Sequence, residues 1–135
     1  MEEQTSVAVS AASHWRRRIG WGLFVIVVAL EALSLGEAGL SKFQSREGWE
    51  HWFGVFGYPP QMALLVGAVE LVGAGLLFLP RLASYASIVV AMVMVGALHA
   101  VLTHETDLGW FDPILHMFFL TIIGAVQWKR RWRRA

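Results

Sequence analysis

The chain has 135 residues, 56% of them apolar, with a mean hydropathy of +0.54 and a formal net charge of +1. That apolar share is too high for an ordinary soluble domain of this length, and the excess lies in four long runs. Cysteine is absent, which excludes thiol–disulfide exchange by the chain itself, Fe–S clusters and thiolate metal sites, and with them a four-helix membrane thiol oxidase.

In chain order, residues 1–17 are expected as an N-terminal tail, of which the polar, small-residue-rich head Met1–His14 reads as loose. The first apolar run is about 18–40. It is too long for a signal-peptide core, it carries Glu31 and Glu37, and no small-x-small cleavage site follows it, so it reads as a span. The loop "SKFQSREGWEHWFGVFGYPP" predicts a short interfacial amphipathic helix around Ser45–Phe56. The second run, about 61–79, opens after Pro59-Pro60, closes at Pro80 and has Glu70 at its centre. The tight turn with Arg81 leads into the third run, about 82–102, which holds His99 near its end. After the acidic loop "HETDLGWFD", Asp112 and Pro113 read as N-cap and first helical residue of the fourth run, about 113–128, which holds His116. Residues 129–135 are a basic tail. Each run is near the ~20 residues that a helix needs to cross a ~30 Å hydrocarbon core, the last being short. The expected fold is therefore all-α, an integral membrane four-helix bundle over 18–128, with the lipid bilayer as its first partner.

Charge sets the expected topology. Arg16–Arg18, Arg81 and the five basic residues of the tail fall on one side, and only Lys42 and Arg46 on the other, so the positive-inside rule puts both termini in the cytoplasm. Trp15, Trp21, Trp128 and Trp132 then lie at the inner interface, and Trp49, Trp52 and Trp110 at the outer one. "KRRWRR" is an orientation signal and no nucleic-acid partner is expected.

The charged residues inside the runs form a pattern. At ~100° per residue, Glu31, Ser34, Glu37, Ala38 and Ser41 fall within a ~120° arc of the first helix. Gly67 and Gly73 flank Glu70 at three residues either side, small enough for a neighbouring backbone to approach. Glu70 should therefore face the bundle, held neutral or paired with a donor. Counting ~1.5 Å per residue from the outer ends, Glu31 and Glu70 lie near the midplane and Glu37, His99 and His116 higher. Lys42, His51, His104, Glu105, Asp107 and Asp112 crown them at the rim. The column opens outward, and only interfacial arginines are charged in the inner half.

Each group admits a chemical and a plain reading. Glu70 can exchange a proton with a quinone or substrate, or simply hold two helices in register. His99 and His116 can donate to a quinone carbonyl, ligate haem iron from two helices, or hold a metal with Glu37; as plain interfacial residues they bond to carbonyls, water or Glu37. No local His-x3-His spacing supports a metal, and none is assigned. Lys42 can pair with Glu37 or reach toward headgroups.

The segments "GLSKF" (Gly39–Phe43), "FGYPP" (Phe56–Pro60) and "GAVELVGAGLLFLPRLA" (Gly67–Ala83) resemble the DoxX-like family of small four-helix bacterial membrane proteins, over most of 19–126. By that likeness Lys42 and Glu70 match the family's characteristic Lys and Glu, and His99 a His common near the end of the third helix. The resemblance implies redox work: one relative is the membrane subunit of a thiosulfate:quinone oxidoreductase, and another is tied to oxidative-stress complexes. Glu31, Glu37 and His116 have no match in it.

The expectation is thus a redox-associated subunit of the bacterial inner membrane, working beside a protein partner or as a homo-oligomer. It would bind a quinone or small oxidisable substrate in an outward-facing polar pocket lined by Glu37, Lys42, Glu70, His99 and His116, with Glu70 as the catalytic proton carrier. A non-catalytic assembly subunit and a small-solute or proton transporter are the alternatives.

Overall fold

A computed structural model describes residues 2–104 and 108–133, with side chains from residue 15 onward. Five helices follow in order: α1 Glu2–Gln44, α2 Arg46–Val55, α3 Met62–Leu77, α4 Ala83–Thr103 and α5 Phe111–Trp132. The described chain contains no strand. α1 is much longer than its apolar run, because no Pro or Gly cluster interrupts it on either side. The head expected to be loose is helical from Glu2. Three helical segments are long and apolar enough to cross a membrane: Trp15–Gln44, Ala83–Thr103 and Phe111–Trp132.

α3 has 16 residues, about 24 Å at 1.5 Å per residue. Turns of three-residue hydrogen bonds lengthen it at both ends: Met62 N–H donates to Pro59 O (2.9 Å) and Leu79 N–H to Leu76 O (3.0 Å). Such tightening satisfies end groups that a regular helix leaves open. Before α3 the chain reverses at Gly57, whose φ of +74° lies in the left-handed region that favours glycine. α5 begins two residues before the expected Pro113, with Trp110 as N-cap and no side-chain cap from Asp112. Proline is tolerated there because its missing N–H falls in the first turn, where no intrahelical acceptor exists.

α1 packs on α3, α3 on α4, α4 on α5 and α5 back on α1, so the four long helices close a ring. Inside it lie Val28, Ala32, Leu35, Ala74, Leu77, Ala86, Val90, Met94, Leu120 and Ile123. Outside, Leu23, Ile26, Leu30, Leu33, Met92 and Phe118 are exposed, a surface suited to lipid. Small residues set the spacing as expected, but they serve two neighbours. A Cβ on Gly39 would come within 2.8 Å of Gly67 O, so α1 and α3 touch backbone to backbone. A Cβ on Gly73 would meet Val90 Cγ2 of α4 at 2.4 Å.

The chain ends share one end of the bundle. The Arg130 guanidinium of α5 stacks 3.9 Å from the Trp21 ring of α1, and Arg131 Nη1 donates to Tyr85 Oη of α4 at 2.6 Å. At the opposite end α2 lies across α1 and α3. It occupies nearly the expected residues and is braced by Arg46 Nε donating to Glu50 Oε1 one turn on (2.6 Å).

Candidate functional site

A helix tilts each Cα–Cβ bond toward its N-terminus. Lys42, near the C-terminal end of α1, therefore sends its stem back along the helix into the bundle. Its Nζ donates to Ala38 O (3.2 Å) and to Glu70 Oε2 of α3 (2.7 Å). The approach is possible because Gly67 leaves room for the Lys42 stem: Lys42 Cβ lies where a Gly67 Cβ would collide, at 3.0 Å. Only 7% of the Lys42 side chain and 4% of that of Glu70 are exposed. Trp49 of α2 covers the ammonium, 4.5 Å from Nζ to the ring centroid. A cation over an indole face gains from the ring quadrupole, more so when desolvated. Lys42 was expected at the rim, pairing with Glu37 or reaching for headgroups; it points inward to Glu70.

A second pair joins α5 to α1. His116 Nδ1 of α5 is 2.9 Å from Glu31 Oε1 of α1. The Glu31 side chain is 3% exposed and that of His116 15%. Toward a carboxylate, Nδ1 must carry the hydrogen and donate, which leaves Nε2 facing elsewhere. Among the described residues Nε2 has no hydrogen-bond partner. Two acids and two bases from three helices thus form two pairs that each tie α1 to a neighbour, together neutral when His116 is protonated and negative by one when it is not. Charges removed from water survive only when paired in this way.

Counting depth along each helix misorders these residues. It places Glu31 at the midplane and His116 well above it, whereas the two side chains meet at 2.9 Å.

Glu37 and His99 belong to neither pair. Both are exposed. Leu35, fully buried, marks the inward face of α1. Val28, Glu31, Ala32, Gly39 and Lys42 lie within about 60° of it, whereas Glu37 lies about 160° away at ~100° per residue. The expected polar stripe thus meets the interior only along its Glu31 edge. On α4, His99 lies about 180° from Val90, the residue that packs on Gly73. Of the residues expected to line the pocket, the structure pairs Lys42 with Glu70 and His116 with Glu31, and leaves Glu37 and His99 outside both pairs. His99 and His116 do not converge as two axial ligands would. Among the described residues, no three His, Asp or Glu side chains come together in a metal-binding group.

At the rim, His51 is exposed beside Trp52, and His104 Nδ1 lies 2.9 Å from Thr103 Oγ1 and its ring against Phe56. Glu105 and Asp107 lie outside the described residues. The half of the bundle nearer the chain ends buries the uncharged Ser84, Ser87 and Gln127. A groove of about 360 Å³ between α3 and α4 is apolar and contains none of the paired residues. Sequence reasoning gave Glu31 and Trp49 no site role. The one available signal for Glu31 is that a buried acid requires a base, and that rule does not choose between His99 and His116.

Residues 18–105 match the model of the DoxX family. The chain belongs to the DoxX family. A protein of Bacillus subtilis (strain 168) named "Putative oxidoreductase CatD" is 38% identical over 79 residues, 57% of this chain and 59% of that protein. The match therefore spans about three fifths of that relative's length. No solved structure matches the chain. Family and apolar helices together make this a membrane protein. The DoxX match holds Glu31, Lys42, Trp49 and Glu70, whereas His116 lies beyond it.

Proposed function

We propose that this DoxX protein is a redox-associated subunit of the bacterial inner membrane, with both termini in the cytoplasm. In this reading it binds a quinone or a small oxidisable substrate beside His116, and the buried pairs handle the protons. The observation that carries the reading is the His116 ring. It is held at Nδ1 by Glu31, and among the described residues its Nε2 has no hydrogen-bond partner. A related protein named as an oxidoreductase supports the redox class. The one-sided distribution of basic residues supports the topology, as does the contact that brings Arg130 to Trp21.

The residues fit a quinone's needs. Glu31 fixes the tautomer and orientation of His116, so that in the imidazolium state Nε2–H can donate to a carbonyl oxygen. Lys42 holds the Glu70 carboxyl in place through its hydrogen bond to Oε2. A bound quinone supplies two-electron, two-proton chemistry, the electrons coming from a partner or from the oxidisable substrate. The surrounding apolar helices exclude bulk water, which strengthens each charge interaction.

Purified protein in nanodiscs should bind a short-chain quinone, and Glu70→Gln should weaken that binding about tenfold, equivalent to ~1.4 kcal/mol. Unchanged affinity in the variant would remove Glu70 from proton handling. A second reading, an assembly subunit, is favoured by the same pairing, since acids and bases that satisfy one another suffice to hold helices in register. It predicts no quinone binding by the wild-type protein and loss of a partner complex when the chain is deleted.

A further inference from the structure

We propose that the groove between α3 and α4 holds one acyl chain of an anionic phospholipid, with the lipid phosphate resting on Arg81 and Arg131. The groove has a volume of about 360 Å³, and its lining includes Val72, Gly73, Leu76, Tyr85, Val89 and Val90. Its floor is closed where Gly73 meets Val90, and its walls, Val72 and Val89, are exposed on the outside of the bundle. Along α4 it runs from Leu82 to Val90, about 12 Å at 1.5 Å per residue. That is close to one leaflet's half of a ~30 Å hydrocarbon core. A single acyl chain entering from one interface has this reach.

The two ends of the groove differ in charge. At the α3–α4 turn, Arg81 precedes Leu82, itself a lining residue. Tyr85, also lining, accepts a hydrogen bond from Arg131 Nη1 at 2.6 Å and lies beneath that guanidinium, 5.3 Å from its ring centroid. Arg131 is thereby held at the mouth instead of extending into water. The other end, at Val69 and Val90, is apolar and lies in the membrane interior. A guanidinium fork matches phosphate oxygens bidentately, and basic groups beside a membrane surface attract anionic headgroups. A neutral quinone head would gain little from two cations at the mouth. Apolar length and paired charge together select an anionic phospholipid.

The test is native mass spectrometry of the full chain, stripped of lipid in a non-ionic detergent. Phosphatidylglycerol and phosphatidylcholine with identical acyl chains are then added in competition. Wild-type protein should retain one phosphatidylglycerol per chain with a preference of roughly 30-fold, two arginines each contributing about fivefold. R81Q/R131Q should abolish the preference, R81K/R131K should keep most of it, and V89W should reduce retention of both lipids by narrowing the groove. Because a variant can misfold, wild-type protein is also photolabelled with phosphatidylglycerol carrying a diazirine in its acyl chain. Label should appear on the Val72–Leu76 and Tyr85–Val90 segments. Equal retention of the two lipids, a preference that survives R81Q/R131Q, label confined to α1 and α5, or displacement of phosphatidylglycerol by an equal amount of quinone would each overturn the proposal.

Discussion

The two buried pairs are built from similar parts and behave differently. Lys42–Glu70 joins an ammonium to an acid between α1 and α3, at a backbone-to-backbone contact, under an indole roof. Glu31–His116 joins α1 to α5, which meet over a smaller contact, and its base can lose its charge. Depth of burial therefore does not by itself distinguish a lock from a switch. An imidazole ordinarily titrates near neutral pH and an ammonium does not, and that is what distinguishes them. Lys42–Glu70 is positioned to hold the bundle's geometry, and Glu31–His116 to exchange a proton within it.

The largest effect should come from breaking the lock. Lys42→Met leaves Glu70 without its cation and should cost ~3–5 kcal/mol, read as a lowered unfolding midpoint in detergent. The double variant K42M/E70L should be more stable than K42M alone, because no unpaired charge remains. If the double variant is the worse of the two, the pair contributes net stability instead of mutual compensation.

Breaking the switch should cost less. His116→Leu leaves the buried Glu31 carboxyl without its hydrogen-bond partner, so a loss of ~1–3 kcal/mol is expected, with quinone binding lost as well. His99→Ala should change neither, since His99 faces outward. A loss of binding in His99→Ala with His116→Leu intact would invert the assignment of the two histidines.

Gly39→Ala should destabilise by a similar ~1–3 kcal/mol through overpacking, since its methyl group would press on Gly67 O at 2.8 Å. Its diagnostic consequence is specific: the shift should disturb the Lys42–Glu70 pair more than Glu31–His116, which a solvent-exchange measurement on the Lys42 ammonium would detect. Smallest is the surface pair on α2. Arg46→Ala removes an exposed one-turn ion pair and should change stability by about 0.3–0.5 kcal/mol at most. An effect several times larger would mean that α2 clamps the Trp49 roof.

Much of the fold was legible and much of the site was not, for separable reasons. Apolar runs, Pro59-Pro60, Pro80 and the Ser45–Phe56 amphipathic stretch located four of the helices' apolar segments and α2, because those signals are local. The small residues around Glu70 correctly pointed it inward. Helix phase, by contrast, is set by neighbours. Six residues separate Glu31 from Glu37, enough to put one inside and the other outside, and only the packing of Leu35 and Gly39 decides which. Lys42 pointed inward because of Gly67 on another helix, twenty-five positions away. His116 and His99 had equal standing as a partner for a buried acid until α5 was seen against α1. The long N-terminal extension of α1 was likewise hidden, since a polar, alanine-containing head carries little positional information.

The central claim is that His116, positioned by Glu31, presents Nε2 to the molecule on which the protein acts. The direct test is nitrogen NMR of histidine-labelled protein in nanodiscs, with a short-chain quinone added in steps. A saturating shift at His116 Nε2, attenuated in Glu31→Gln and absent at His99, is the predicted result. A saturating shift at His99 with His116 unmoved, or no shift at either ring, would contradict it.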